Sequence, residues 1–582
     1  MKNKKKIKEN FDFALENHKK NNLQVAEEIY KKILDIDPNH FQSTVLLGTL
    51  YAQIKKFDLA KPLLQKAIQI NPNYAETHYN LGLVFNGMSN PEKAISCYEK
   101  AIEINPHYPD AYNNLGNCYK ESEDFETAVK FYEKAIEINP NYPDAYNNLG
   151  LIFKKLGEDD KAINCYKKTI KLQPTHAVAY YNLGLALEDL GEEMKAISCY
   201  EKAIEINPNY SDAYNNLGSC YKELGNFDTA INYYERAIKS KPKDLGFLYN
   251  LRELKKEVLN SNLANSVEKI INDNKCTNRN LAFGNFLLAR HASKEKNYRK
   301  EIDYLVKGHK YYFEFKKTQF TRQLNYFLNA LPSISKSNNF NTSNIINEQI
   351  KPIFIIGVPR CGSTLLEKII ASGSKPIPIG EETNLLHKFI MAKTNLPNFK
   401  NKDFQKIVLE KYKQKGLLQE KNDYVFTDKS LENFFYIGLI KQIFPNAKVI
   451  NCKRNVSSSI MSIMRNNLVE VPWAHSIENI FKYFDIYHQT IFFFEKSYPG
   501  FIYHLDYEKL VTEPEQESKK LMEFCNLSWD KKCLDFYRRK DLISKTASNI
   551  QIREAIYKNS AEKYLPYKFF LNKYGAKYSW YK

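Results

Sequence analysis

Proline returns every 34 residues through the first half of the chain, at Pro38, Pro72, Pro106, Pro140, Pro174, Pro208 and Pro242. Gly48, Gly82, Gly116, Gly150, Gly184 and Gly218 keep the same step. Between them runs a pattern such as "DAYNNLGNCYKESEDFETAVKFYEKAIEINP". A fixed period of this length leaves few architectures, because each unit buries its apolar face only against the next. The units read as helix pairs. Small Gly and Ala let two antiparallel helices approach closely, and proline after the second helix stops it. Stacked pairs over 1–250 then form an all-α solenoid with a concave groove.

The L-G-x-x-Y of the first helix, the A-x-x-x-Y/F of the second and the closing proline resemble the tetratricopeptide repeat. Asn80, Asn114, Asn148, Asn182, Asn216 and Asn250 also recur in this frame, each before leucine. A side-chain amide offers both donor and acceptor. Two readings stand: inter-repeat bonding within the solenoid, or a ladder that grips a protein or peptide in the groove. The second resembles the ladder in the repeats of O-linked N-acetylglucosamine transferase.

Residues 251–330 continue as helix, a degenerate repeat or helical cap. The Ser/Asn-rich 331–349 reads as a linker, and a different pattern occupies 350–582. The net charge of +18 is uneven: 31 basic and 34 acidic residues in 1–250, 17 and 9 in 251–350, 37 and 24 in 351–582. The basic excess suits an anionic cofactor or substrate. No dense Lys/Arg stripe interleaved with aromatics points to nucleic acid. No apolar run is long enough for a membrane span, and the basic start lacks an apolar signal core. The ten cysteines form no C-x-x-C pair or metal spacing. Cys97, Cys118, Cys165, Cys199 and Cys220 fall at repeat positions and read as core residues of a reduced, cytoplasmic protein. Oligomeric state is not legible.

In the second half, "KPIFIIG", "NAKVINCKR" and "FIYHLDYEKL" read as strands, each followed by a helical stretch. Strand, loop and helix in repetition predict an α/β domain with a parallel sheet, whose ligands bind at the carboxyl strand ends. "GVPRCGST" follows the first strand and nearly matches the phosphate loop G-x-x-x-x-G-K-[ST]. Ser363 stands where that pattern has lysine. Backbone N–H groups, the helix dipole and the Ser363 and Thr364 hydroxyls still hold phosphate. The missing lysine disfavours a triphosphate, and with it a kinase or triphosphatase, although "YVFTD" passes for a Walker B strand.

"VPRCGSTL" resembles the 5′-phosphosulfate loop of sulfotransferases, and "KRNVSSSIMS" their 3′-phosphate motif. The resemblance implies 3′-phosphoadenosine 5′-phosphosulfate (PAPS) as donor and no metal. It implies Arg360, Cys361, Gly362, Ser363 and Thr364 around the 5′ side, and Arg454 and Ser462 on the 3′-phosphate. Within the family the likeness is to tyrosylprotein sulfotransferases and to bacterial sulfotransferases with attached tetratricopeptide repeats. "IGEETNLL" then implies Glu382 as catalytic base, with Glu381 the alternative because the distance from Arg360 is one residue longer here. Lys429 resembles the lysine that stabilises the transition state, and Ser548 its partner serine. Lys563 and Tyr507 resemble residues beside the donor. Cys361 departs from the family's hydroxyl. The membrane anchor and lumenal disulfides of the Golgi enzymes have no counterpart.

These residue types suit the chemistry. An acceptor hydroxyl loses its proton to a carboxylate as it attacks sulfur. Lysine neutralises charge growing on the leaving phosphate. The ordinary readings are a solvated helix start for Glu381–Glu382, a surface ion pair for Lys429 and a loop serine for Ser548. His475, His488 and His504 are alternative bases. The expected activity is sulfuryl transfer from PAPS to an acceptor hydroxyl, with protein tyrosine a candidate acceptor and the repeats recruiting a protein substrate or partner. A glycan, lipid or small alcohol is the alternative acceptor, and an inactive repeat scaffold the third reading.

Overall fold

The computed structural model describes residues 2–255, 259–333, 349–394, 404–418, 425–539, 556 and 563–581. The chain divides into two compact units, Met1–Leu217 and Gly218–Lys582.

The first unit is a run of helix pairs, from Lys2–Lys19 with Leu23–Ile36 to Ala177–Asp189 with Glu193–Ile206. The period has a steric cause. A Cβ on Gly82, Gly116, Gly150 or Gly184 would lie 2.5–2.8 Å from the ring of Tyr98, Tyr132, Tyr166 or Tyr200. Each of those tyrosines is fully or almost fully buried. Glycine on one helix is thus the notch for an aromatic ring on the next. The end of each second helix is also fixed: Asn105 donates its N–H to Ala101 O, and Pro106 follows.

The second unit begins with Phe227–Ser240 and continues through Leu245–Leu254, Ser261–Ile271, Asn278–Lys294 and Tyr298–Phe315. These cap helices do not close on themselves. Leu245, Phe286, Leu305 and Leu331 belong to one hydrophobic core with the sheet residues Ile353, Ile355 and Val449. Polar bonds stitch the same seam. Arg465 Nε donates to Glu301 Oε1 at 2.8 Å, and Tyr567 OH to Glu301 Oε2 at 2.7 Å. The boundary between compact units therefore lies at 217/218, ahead of the compositional boundary at 250. Of the expected linker, 334–348 lies outside the described residues.

Four parallel strands follow: β1 Ile353–Gly357, β2 Thr427–Asp428, β3 Lys448–Lys453 and β4 Ile502–Asp506, in the order β2-β1-β3-β4. β1 is buried along its whole length, as its unbroken apolar run predicts. The register sets Gly357 beside Cys452 and Lys453 beside Asp506. One expected strand is shorter than its sequence suggested. "FIYHLDYEKL" leaves the sheet at Asp506, whose side chain accepts the Lys509 N–H at 3.0 Å and caps the helix Tyr507–Thr512.

Candidate active site at the carboxyl edge of the sheet

All four strands end on the same edge, and each delivers a predicted residue there. β1 runs into the Gly357–Thr364 loop, β2 into Lys429, β3 into Arg454 and β4 into Tyr507. Gly362 takes φ = 104° and caps the helix Ser363–Ala371. A Cβ there would lie 2.2 Å from the Tyr507 ring, so only glycine fits between loop and ring. The guanidinium of Arg454 lies over the same ring at 4.7 Å. Arg454 also donates to the Arg360 carbonyl at 2.9 Å, and Arg360 Nε donates to Ser462 Oγ at 3.0 Å. The loop and the two residues expected on the 3′ side thus form one bonded set. Arg454 Nε is buried and has no hydrogen-bond partner among the described residues. Together with the first-turn N–H groups beside Ser363 and Thr364, it makes this end of the edge fit for a phosphate-bearing nucleotide.

Cys361 belongs to the interior rather than to the loop's outer surface. It is fully buried, and Cys452 Sγ donates to its carbonyl at 3.3 Å. Lys563 sits exposed in a turn. Ser548 lies outside the described residues.

The second cluster stands around β2. The segment 378–382 runs along the end of that strand. Thr427 N donates to Pro378 O at 3.0 Å, and Lys429 N to Glu381 O at 2.7 Å. Gly380 is required by this approach, because a Cβ there would lie 2.1 Å from Thr427 O. Glu381 follows in a left-handed conformation, φ = 47°. The turn sends the two carboxylates to different places. Glu382 accepts from Lys429 Nζ at 3.2 Å and keeps about half its side chain, 48%, exposed. Glu381 lies 3.5 Å from the Nζ of buried Lys368 and is 19% exposed.

Lys429 is wholly buried. Burial works against its charge, but Glu382, Glu367 and Glu381 outweigh it and hold its pKa above the ordinary lysine value. Burial instead pulls the Lys368 ammonium below that value, with Glu381 and Glu367 opposing. Asp428 is a structural carboxylate here. Thr383, Tyr412, Ser430 N–H and Asn433 all donate to it, at 2.6–3.1 Å. Four protein donors fix the strand end from which Lys429 projects, so this Asp has another role than the magnesium ligand of a Walker B strand.

The three alternative histidines bond elsewhere. His475 Nδ1 faces His309 Nδ1 at 3.0 Å. His488 stacks on Trp580, with ring centroids 4.8 Å apart, and His504 pairs with Glu495. Burial lowers the pKa of His475 to about 2 and of His488 to about 4.

In the solenoid, the recurrent asparagines donate across repeats. Asn148 Nδ2 reaches Asn113 Oδ1 and Asn182 Nδ2 reaches Asn147 Oδ1, each at 3.0 Å. Asn80, Asn114 and Asn216 donate to Thr49, Tyr79 and Tyr181. These bonds realise the inter-repeat reading for five of the six positions. For Asn250 only its place on the helix Leu245–Leu254 is described.

Sequence reasoning missed Glu367 and Lys368, which lie at the base of the glutamate–lysine cluster. The available signal was two adjacent charges inside "STLLEKIIA", where the helix has no exposed face for them: both are buried.

Residues 352–531 match the sulfotransferase family. Tetratricopeptide-repeat families match within 10–40 and across 48–243. An uncharacterized protein of Aquifex aeolicus (strain VF5) is 33% identical over 243 residues, 38% of this chain and 31% of that one. Protein-tyrosine sulfotransferase 1 of Danio rerio is 25% identical over 220 residues, 33% of this chain and 58% of that one. The chain thus spans about a third and somewhat over half of these two relatives. Among solved structures, MamA is 30% identical over 30% of this chain and 94% of its own, with a TM-score of 0.27. YrrB, described as a TPR protein with an unusual peptide-binding site, is 26% identical over 33% and 98%, with a TM-score of 0.28. No helix among the described residues is long and apolar enough to cross a membrane, and none of their His, Cys, Asp and Glu groups forms a metal-binding cluster.

Proposed function

We propose that this chain, which joins tetratricopeptide repeats to a sulfotransferase-family domain, transfers a sulfuryl group from PAPS to an acceptor hydroxyl, with protein tyrosine as the acceptor. The donor supplies the activated sulfuryl group and a phosphate leaving group. Arg454, Ser462, Arg360 and the Gly362–Thr364 backbone hold its phosphates. Glu382, half exposed and beside Lys429, takes the proton of the attacking hydroxyl. Lys429, buried and kept charged by three carboxylates, faces the charge that grows as the old bond breaks. Glu381 is engaged with Lys368 and holds the turn. The repeats recruit a protein substrate or partner, and the reading sets the chain in the cytoplasm.

The observation that carries this reading is Arg454: a guanidinium at a strand end, with one buried Nε–H unpartnered among the described residues, beside Ser462 and the glycine loop. A 3′-phosphate matches that donor, and ATP has none. Calorimetry on the full chain tests it. Adenosine 3′,5′-bisphosphate binds much more tightly than ATP, and Arg454→Ala loses about 2–5 kcal/mol of that binding. Equal affinity for the two nucleotides would sink the donor assignment.

A second acceptor class stays in view because five of the recurrent asparagines donate to side chains of the neighbouring repeat. Incubation with labelled PAPS and fractionated extract separates the readings by whether label enters protein, glycan or lipid. Donor binding with no transfer to any fraction supports the inactive scaffold.

A further inference from the structure

We propose that Glu367 is a positioning residue for the transfer: its carboxylate ties the base-bearing turn and the Lys429 strand end to the helix that begins at the donor loop. This rests on the sulfuryl-transfer reading above.

Glu367 lies one turn into the helix Ser363–Ala371, whose start is the anion-binding loop. It is fully buried. One oxygen, Oε1, accepts the Thr427 hydroxyl at 2.7 Å and the Glu381 backbone N–H at 3.1 Å. Those two groups precede Lys429 and Glu382, by two residues and one. Thr427 Oγ1 in turn accepts the Gly380 N–H at 3.2 Å. A single carboxylate therefore spans the donor loop's helix, the turn and the end of β2. A shift of the donor loop carries the base and the cation with it.

Glu367 also shapes the charge of the cluster. It is one of the carboxylates that hold Lys429 protonated, and it opposes the effect of burial on Lys368. Burying a carboxylate is costly unless it is paired. A leucine would fill the helix face more cheaply but would accept neither bond. The left-handed turn at Glu381 needs its N–H held, because a non-glycine residue there is strained.

The test uses the full chain and three variants. Glu367→Gln keeps an acceptor oxygen for both bonds. Glu367→Met fills the space and accepts neither. Thr427→Val removes the hydroxyl bridge without stripping a buried charge, and it decides the matter if the Met variant fails to fold. Labelled PAPS and a tyrosine-containing peptide give kcat and donor KM. Hydrogen exchange of the 376–385 peptide reports the turn without any ligand.

The expected result for Glu367→Met is a kcat about 10²-fold lower, the scale of a misplacement of about 1 Å. Its donor KM and bisphosphate affinity stay as in wild type, and the turn exchanges faster. Glu367→Gln stays within about tenfold of wild type, with the alkaline limb of its pH profile moved to lower pH because Lys429 loses a carboxylate neighbour. Thr427→Val falls between them. Slow exchange and wild-type kcat in the folded Met variant overturn the inference, as they do in Thr427→Val where the Met variant does not fold. So does a donor KM that rises in step with any loss of kcat. A wild-type chain that transfers no sulfate overturns the transfer reading together with this role. Unchanged exchange in an active chain overturns this role alone.

Discussion

The solenoid and the sheet edge both bury polar side chains, but they satisfy them differently. In the solenoid the recurrent amide meets one repeat position again and again: Asn114, Asn148, Asn182 and Asn216 reach Tyr79, Asn113, Asn147 and Tyr181. At the sheet edge no partner recurs. Lys429 meets Glu382, Lys368 meets Glu381, and Glu367 collects a hydroxyl and a backbone N–H. Periodic bonding is explained by the repeat itself. A singular cluster, costly to bury and built from three separate segments, calls for a function. The lesson is that polarity in a core is informative in proportion to its irregularity.

The sharpest way to break this contrast is at the two adjacent glutamates. Glu382→Gln lowers turnover by about 10²–10⁴, the general-base range, while bisphosphate binding survives. Glu381→Gln costs much less, because its carboxylate is held against buried Lys368. Steady-state kinetics on both variants reads the difference. A larger loss at Glu381 would move the base by one residue.

Acid separates the two units next. Burial lowers the pKa of His309 to about 4 and of His475 to about 2. Unfolded histidines bind their proton near pH 6.5, so the stability these neutral rings represent is complete above that pH. It is lost as pH falls from 6.5 toward 4. From pH 7 to 5.5 the pair costs the second unit about 2–3 kcal/mol. Urea unfolding at the two pH values measures it, and His309→Gln with His475→Gln reduces the dependence to the part that His387 and His488, also lowered to about 4 by burial, still carry. An equal loss in the double variant would place the acid sensitivity elsewhere.

Within the solenoid, Gly184→Val drives a side chain into Tyr200 and destabilises the first unit by about 1–3 kcal/mol. Thermal melting followed by circular dichroism reports it, while the sheet edge at Arg454 binds bisphosphate as before.

The smallest effect belongs to the ladder. Asn148→Ala removes one inter-repeat bond and costs about 0.5–1.5 kcal/mol of solenoid stability. The KM for a short tyrosine peptide stays fixed. A stable Asn148→Ala solenoid, with a raised KM for protein acceptors only, would show that these amides serve a ligand and would erase the contrast.

Sequence and structure part company along the same line. The repeats were legible because Pro, Gly and Asn each returned at one interval, and the steric reason was local to a helix pair. The loop at Gly357–Thr364 and Arg454 were legible because each stands at a strand–helix junction. Glu367 was not, because its partners Glu381 and Thr427 lie 14 and 60 residues away and its burial depends on packing. Asp428 closes a stretch that passes for a Walker B strand, and only the packing of Thr383, Tyr412, Ser430 and Asn433 around it shows a structural carboxylate. The left-handed φ at Glu381 has no sequence signature at all. The cap helices read as a worn repeat, because nothing in their periodicity tells what their apolar faces cover.

That shared core also bears on how such a chain is inherited. A sheet domain that borrows Leu245, Phe286, Leu305 and Leu331 to complete its interior cannot travel alone. A genetic crossover near residue 350 would deliver a sheet with one wall missing. Crossovers between whole repeats upstream leave that interior untouched, since each insertion or deletion of 34 residues restores the same notch and ring. The length of the solenoid can thus change without touching the interior that the sheet shares with its cap.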